Sequence, residues 1–275
     1  MKKKIIINFC PTGMIPTKHT TPHVPILPQE IIEQTHEAFE LGITIAHLHA
    51  RDKDGIPDYK AAVYRDIFEG VRKYCPGIVI CGSTSGRLFQ EFEKRSEVIE
   101  LKPDMCSLTL SSLNFLQHAS INEPSIIRKL AEKMTEYGVT PELECFDLGM
   151  VNYGLYLIQK KIITGPFYWN LIFGNIAGMQ ASLTHIAAAV SSIPKAHHIA
   201  FGGIGIHQFA VNSTAVANGY GVRVGLEDAI WMDTNKAIPA TNSKLVNRIH
   251  TLIDAHGCEY MLPEEFGGLG FYNSK

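Results

Sequence analysis

A single-domain (β/α)₈ TIM barrel is the α/β fold this sequence predicts, and three observations predict it. Short apolar runs alternate with helical patterns eight times along 275 residues, the rhythm of parallel strands joined by crossover helices. The turn after the first run, Cys10-Pro11-Thr12-Gly13, lacks the Gly-rich fingerprint that an open doubly wound sheet carries there. Charged and hydroxyl residues gather at the late ends of the apolar runs, where a barrel keeps its chemistry.

The elements follow in order. Lys4 to Phe9 is the first strand, and Pro28 opens a helix with Ile32, Thr35 and Phe39 on one stripe. Ile43 to His49 is the second strand. Val63, Ile67, Val71 and Tyr74 then recur at helical spacing. Ile78 to Gly82 is the third strand and Phe89 to Leu101 the third helix. Met105 to Thr109 is the fourth strand; Pro124, suited to a first turn, starts a helix through Ile127, Leu130, Met134 and Tyr137. Pro141 to Phe146 and Phe167 to Phe173 are the fifth and sixth strands, followed by helices over Val151 to Lys161 and Met179 to Ile193. His198 to Gly202 and Gly221 to Val224 complete the strands. Their helices run from about Gln208 to Asn218 and from Ser243 to Ala255.

Composition narrows the function. The chain is 45% hydrophobic and 19% charged, with a formal net charge of −2. That balance offers nothing to nucleic acid or a membrane surface. No stretch approaches the roughly 18 apolar residues of a membrane span. Ile5-Ile6-Ile7 falls short of the roughly 7–15 residues of a signal-peptide core. The cysteines at 10, 75, 81, 106, 145 and 258 have no metal-knuckle or redox spacing and read as buried thiols of a cytoplasmic protein. With no Pro/Gly-rich linker, residues 1–275 are expected to form one catalytic domain.

The second strand ends His47-Leu48-His49. Alternation puts both imidazoles on one face, within reach of one ion at about 2.0–2.1 Å each. The eighth strand runs through Arg223 into Glu227-Asp228. Glu227 completes a two-His, one-carboxylate set with open positions. Arg223, framed by Val222, Val224 and Leu226, is expected to point inward, where it forks onto a substrate carboxylate or holds Asp228. Asp228 is placed to take a proton. Gly82-Ser83-Thr84-Ser85 has small residues suited to an anion, Ser107 and Thr109 share a face of the fourth strand, and Glu142 and Glu144 share one of the fifth. A carboxylate inside a barrel strand needs a partner or a metal. His19 and His23 are expected to be solvated. His197 and His198 begin the seventh strand and are expected to have no catalytic role.

Cys10-Pro-Thr-Gly13, His47-Leu-His-Ala-Arg-Asp52, Gly82-Ser-Thr-Ser85, Ser111-Ser-Leu-Asn-Phe115, Pro141-Glu-Leu-Glu144 and Arg223-Val-Gly-Leu-Glu-Asp228 together resemble the β-keto acid cleavage enzymes, whose type member is the 3-keto-5-aminohexanoate cleavage enzyme. The resemblance implies a zinc barrel, usually a tetramer, that reacts a β-keto acid with acetyl-CoA to give acetoacetate and a new acyl-CoA. It implies His47, His49 and Glu227 as ligands of Zn²⁺ or another divalent ion. Arg223 and Asp228 become the acid–base pair, supported by Ser83. Ser107 and Glu144 line up with family active-site positions, and Thr84 and Thr109, beside them at the strand ends, are expected to bind substrate too. Asp228 is expected to draw a proton from the acetyl methyl. In the type enzyme an acidic residue after the Thr-Gly pair receives the substrate's amino group. Met14, Ile15 and Pro16 stand there here, which favours an apolar or differently charged acid. Two alternatives stay open: an amidohydrolase-type hydrolase, which needs histidines after strands five and six, and a non-catalytic metal- or acyl-CoA-binding barrel.

Overall fold

The protein, described by a computed structural model over residues 2–275, closes eight parallel strands into a barrel. They are β1 (Ile7–Phe9), β2 (Ile45–Leu48), β3 (Val79–Gly82), β4 (Met105–Thr109), β5 (Thr140–Cys145), β6 (Tyr168–Phe173), β7 (His198–Gly203) and β8 (Gly221–Val224). Closure comes from β8 on β1, with Arg223 opposite Asn8 and Val224 opposite Phe9. The helices α1 (Pro28–Leu41), α2 (Ala61–Tyr74), α3 (Phe92–Ser96), α4 (Pro124–Tyr137), α5 (Leu148–Gln159), α6 (Leu183–Ser191), α7 (Gln208–Asn218) and α8 (Asn242–Ala255) follow the strands in turn. Their apolar stripes, such as Ile127, Leu130 and Met134 on α4, bury against the outside of the barrel.

Four elements depart from the sequence expectation, each for a local reason. The first strand divides at Ile6: Lys4–Ile5 pairs with Glu259–Tyr260, and only Ile7–Phe9 enters the barrel. The third helix begins at Phe92 and tightens into a 3₁₀ turn over Glu97–Leu101. Buried Arg95 directs it, donating from Nε to Thr84 O at 2.9 Å and from Nη2 to Asn122 Oδ1 at 2.7 Å. The fifth helix starts at Leu148, three residues early, because Asp147 caps the Met150 N–H. The sixth waits until Leu183, since Met179 N is tied to Phe146 O and Ser182 supplies the cap.

Below α8 the chain adds a segment that periodicity does not reveal. Helix α9 (Pro263–Phe266) and the π-turn Gly267–Phe271 bring Phe266 and Phe271 under the barrel. The two rings stack at 4.0 Å and pack edge-on to Tyr168 and His198. They close the amino-terminal end against Ile6, Ile45, Val79 and Met105. The other end stays open, and polar side chains collect there.

Candidate functional site

β2 ends at Leu48, so His47 is the last inward side chain of the strand and His49 the first beyond it. Their Nε2 atoms approach to 3.1 Å. Glu227, three residues past β8, faces both: its Oε1 lies 3.2 Å from His49 Nε2 and its Oε2 3.9 Å from His47 Nε2. Two glycines allow that approach. Gly225 lies against the Cys10 carbonyl, and Gly13, at φ 64°, lies against Glu227, where any Cβ would drive into Cγ. The three donor atoms lie within 4.8 Å of one another, the arrangement that holds a divalent ion. Glu227 Oε2 is buried without a hydrogen-bond partner. An orphaned carboxylate oxygen is costly, and a cation is the group that satisfies it. The donor set therefore fits a metal.

Beneath the pair lies Glu142, fully buried on β5, whose Oε2 is 2.7 Å from His47 Nδ1. Asn8 and Asn170 donate to its other oxygen, and the Cys81 thiol lies 3.3 Å from Oε2. A carboxylate there accepts the Nδ1–H hydrogen bond and leaves Nε2 as a lone pair facing the cavity. Burial opposes the charge on Glu142, but His47 and Arg223 outweigh it and hold the carboxyl down at about 2. Burial keeps His49 below its ordinary value, in the neutral form a metal requires.

Arg223 gathers the remaining acids. Its Nε meets Asp228 Oδ2 at 2.8 Å, Nη2 meets Glu227 Oε1 at 2.7 Å, and Nη1 reaches Glu144 Oε1 at 3.4 Å. Gly202 on β7 leaves room for its stem, with Arg223 Cδ only 3.2 Å from where a Cβ would sit. Thr109 steadies Glu144 from β4 through a 2.8 Å hydrogen bond. Burial raises Asp228 despite the guanidinium beside it and pushes Glu144 up to about 7. Both keep more affinity for a proton than an exposed carboxylate. Glu227 is held well below the carboxylate range: Arg223 and the two histidines overcome its burial.

These side chains open into a cavity of about 400 Å³. His47, His49, Ser83, Thr109, Glu144, Arg223, Glu227 and Asp228 all line it, as the sequence predicts for one site. Ser107 and Thr84 do not. Ser107 Oγ instead accepts from the Thr84 N–H at 3.1 Å, and the Thr84 hydroxyl donates to Ser107 O, so the pair pins the loop that presents Ser83. His19 and His23 are exposed and absent from the lining. His198 sits at the opposite end, on the closing aromatics. Sequence reasoning passed over Arg51, which is buried and fastens the loop after β1 through Gly13 O at 2.6 and 2.9 Å and Pro16 O at 3.0 Å. Its signal was its place two residues after His49. Arg87 on the cavity wall was also missed.

A closed parallel barrel with its acids and imidazoles at the carboxyl ends of the strands has the architecture of the barrel enzymes. The chain belongs to the beta-keto acid cleavage enzyme family, whose sequence model matches residues 4–267. It is 32% identical over 266 residues to the 3-keto-5-aminohexanoate cleavage enzyme of Fusobacterium nucleatum, spanning 96% of this chain and 97% of that one. It is 33% identical over 260 residues to the 3-oxoadipate:acetyl-CoA acetyltransferase of Cupriavidus necator, spanning 94% and 91%. Among solved structures, apo ObcA shares the fold at a TM-score of 0.77 and 18% identity, over 92% of this chain and 66% of that one.

Proposed function

We propose that this enzyme, folded as one catalytic domain, converts R–CO–CH₂–COO⁻ and acetyl-CoA into R–CO–CoA and acetoacetate. The observation that carries the reading is the single guanidinium of Arg223, which grips Asp228 and Glu227 together at the cavity floor. His47, His49 and Glu227 are its metal ligands, for Zn²⁺ first and Mn²⁺ or Co²⁺ as alternatives. When bound there, the ion supplies a Lewis acid for a carbonyl oxygen.

The chain's own groups carry the rest. Acetoacetate combines two carbons of acetyl with the CH₂–COO⁻ of the acid, so the new bond joins that methylene to the thioester carbonyl. Asp228, raised by burial, is thus the base for the methylene proton. Removal from the acetyl methyl, the expectation from sequence, would make the wrong bond. The displaced thiolate then adds to the original ketone carbon, the bond from that carbon to the methylene breaks, and the product enolate recovers its proton. Arg223 and the hydroxyls of Ser83 and Thr109 donate to the successive oxyanions. Glu144 keeps the guanidinium oriented, and Thr84 and Ser107 hold the Ser83 loop. Met14, Ile15, Phe115 and Phe146 line the cavity and shield the thioester from water.

The ends of β5 and β6 offer Phe146 and Gly174 where an amidohydrolase site would require histidines. The chain is further read as a cytoplasmic homotetramer. No helix is long and apolar enough to cross a membrane among the described residues. The cysteines are free thiols, and Leu116, Ile176 and Leu183 stand 65–78% exposed, apolar area of the kind that subunits cover. The test is one incubation of metal-assayed protein with acetyl-CoA and a panel of β-keto acids, beside His47→Ala, read by mass spectrometry. A new acyl-CoA that requires His47 supports the reading. No product from metal-replete protein overturns it.

A further inference from the structure

Among the charged side chains lining the cavity, His47, His49, Glu144, Arg223, Glu227 and Asp228 each pair with another of the set. Two cations remain, Arg87 and Lys236. Among the described residues no carboxylate pairs with either. They differ in setting. Lys236 is exposed on the rim, whereas Arg87 is half-buried on the loop that also carries Ser83. Its guanidinium lies 3.7 Å over the Phe115 ring, and its Nε is buried with no hydrogen-bond partner. The guanidinium rests on the aromatic face without a side-chain hydrogen bond among the described residues, and an unengaged guanidinium matches a carboxylate bidentately. A half-buried cation without an acceptor is costly. Met14, Ile15 and Ile230, which also line the cavity, offer none.

We propose that Arg87 is a specificity residue that forks onto a second carboxylate at the far end of R, so the acid cleaved here is a dicarboxylic β-keto acid. The inference rests on the reaction proposed above. The other anions in that reaction are the carboxylate common to every β-keto acid and the phosphates of CoA. Were Arg87 to hold the common carboxylate, its loss would slow a methyl-ended acid as much as the diacid. A bulky nucleotide passes the exposed rim, where Lys236 stands, and the recessed, stacked guanidinium suits a planar carboxylate.

The experiment compares three β-keto acids of equal chain length ending in carboxylate, methyl or ammonium, with wild type and Arg87→Met, which keeps apolar bulk over Phe115. The diacid is expected to be the best substrate. Arg87→Met is expected to lower its kcat/KM by about 10- to 100-fold, the loss of one charge-assisted contact, while the methyl-ended acid and the KM for acetyl-CoA hold within about threefold, inside the error of one weak contact. Equal use of the diacid and the methyl-ended acid by wild type overturns the proposal. So does a variant whose only defect is a raised KM for acetyl-CoA, which assigns Arg87 to a CoA phosphate. Calorimetry with adipate and hexanoate, which cannot react, separates the two readings. Adipate binding that needs Arg87, without turnover of any acid, leaves this inference standing and overturns the reaction. Neither turnover nor Arg87-dependent binding overturns both.

Discussion

Glu142 Oε2 lies 2.7 Å from His47 Nδ1 at the bottom of the site, and neither side chain reaches solvent. The carboxylate sets which nitrogen of His47 faces the cavity. Partners of this kind tune metal affinity by about 10- to 100-fold. Glu142→Gln keeps a hydrogen bond and removes the charge, so metal affinity should fall within that range. Chelator competition measures it; unchanged affinity would show that His47 is oriented by its packing alone.

Chelator dialysis should abolish turnover, and one equivalent of Zn²⁺ should restore it to wild type but not to His49→Ala or Glu227→Gln. The ion should also stabilise the fold by mass action, by about 2.7 kcal/mol at a hundredfold excess over Kd. A thermal midpoint that ignores added metal would count against the His47–His49–Glu227 tripod.

Asp228→Asn retains a partner for Arg223 and loses the base. We expect kcat to drop about 10²- to 10⁴-fold with metal content intact and the KM for the acid little changed. Arg223→Lys is a different lesion. It breaks a buried fork among three carboxylates, and losing one partner of a buried pair costs about 3–5 kcal/mol. Chemical denaturation should register that loss; a variant as stable as wild type would mean the acids re-pair without the fork.

Gly13 is the residue the metal site cannot exchange. Its φ of 64° and its contact with Glu227 exclude a side chain. Gly13→Ala should lose about 1–2 kcal/mol from the left-handed backbone alone and should displace Glu227 as well. Metal content and thermal midpoint should therefore fall together. A stable variant with full metal would place Glu227 outside the ligand set.

At the far end of the barrel, burial holds His198 below the ordinary histidine value of about 6.5. The unfolded chain then takes the proton first. This contribution to stability is present above pH 6.5 and is lost as pH falls through that value toward the lower folded one. Between roughly pH 7 and 5 the unfolding free energy of His198→Gln should decline less steeply than that of wild type. Parallel slopes would remove His198 from the acid sensitivity.

What the sequence by itself determined is what periodicity governs. A repeat of two along a strand put His47 with His49 and Thr109 with Ser107, and polar groups at strand ends pointed to one mouth of the barrel. Arg223, Glu227 and Asp228 were legible because they lie within six residues, where local geometry leaves few places for them. Contacts across the barrel were not. Glu142 meets His47 over a separation of 95 residues, and no local pattern separates it from Glu144, which faces the cavity. Arg51, passed over in the sequence, became the clasp of a loop. Ser107 and Thr84 became partners of each other rather than of the cavity. Phe266 and Phe271 close the barrel from a segment too short and too Gly-rich to show a period. Only the tertiary structure decided these, because each depends on how closure of the ring brings distant strands together. Backbone dihedrals set the direction of a side chain, but the identity of its neighbour comes from the packing of the whole chain.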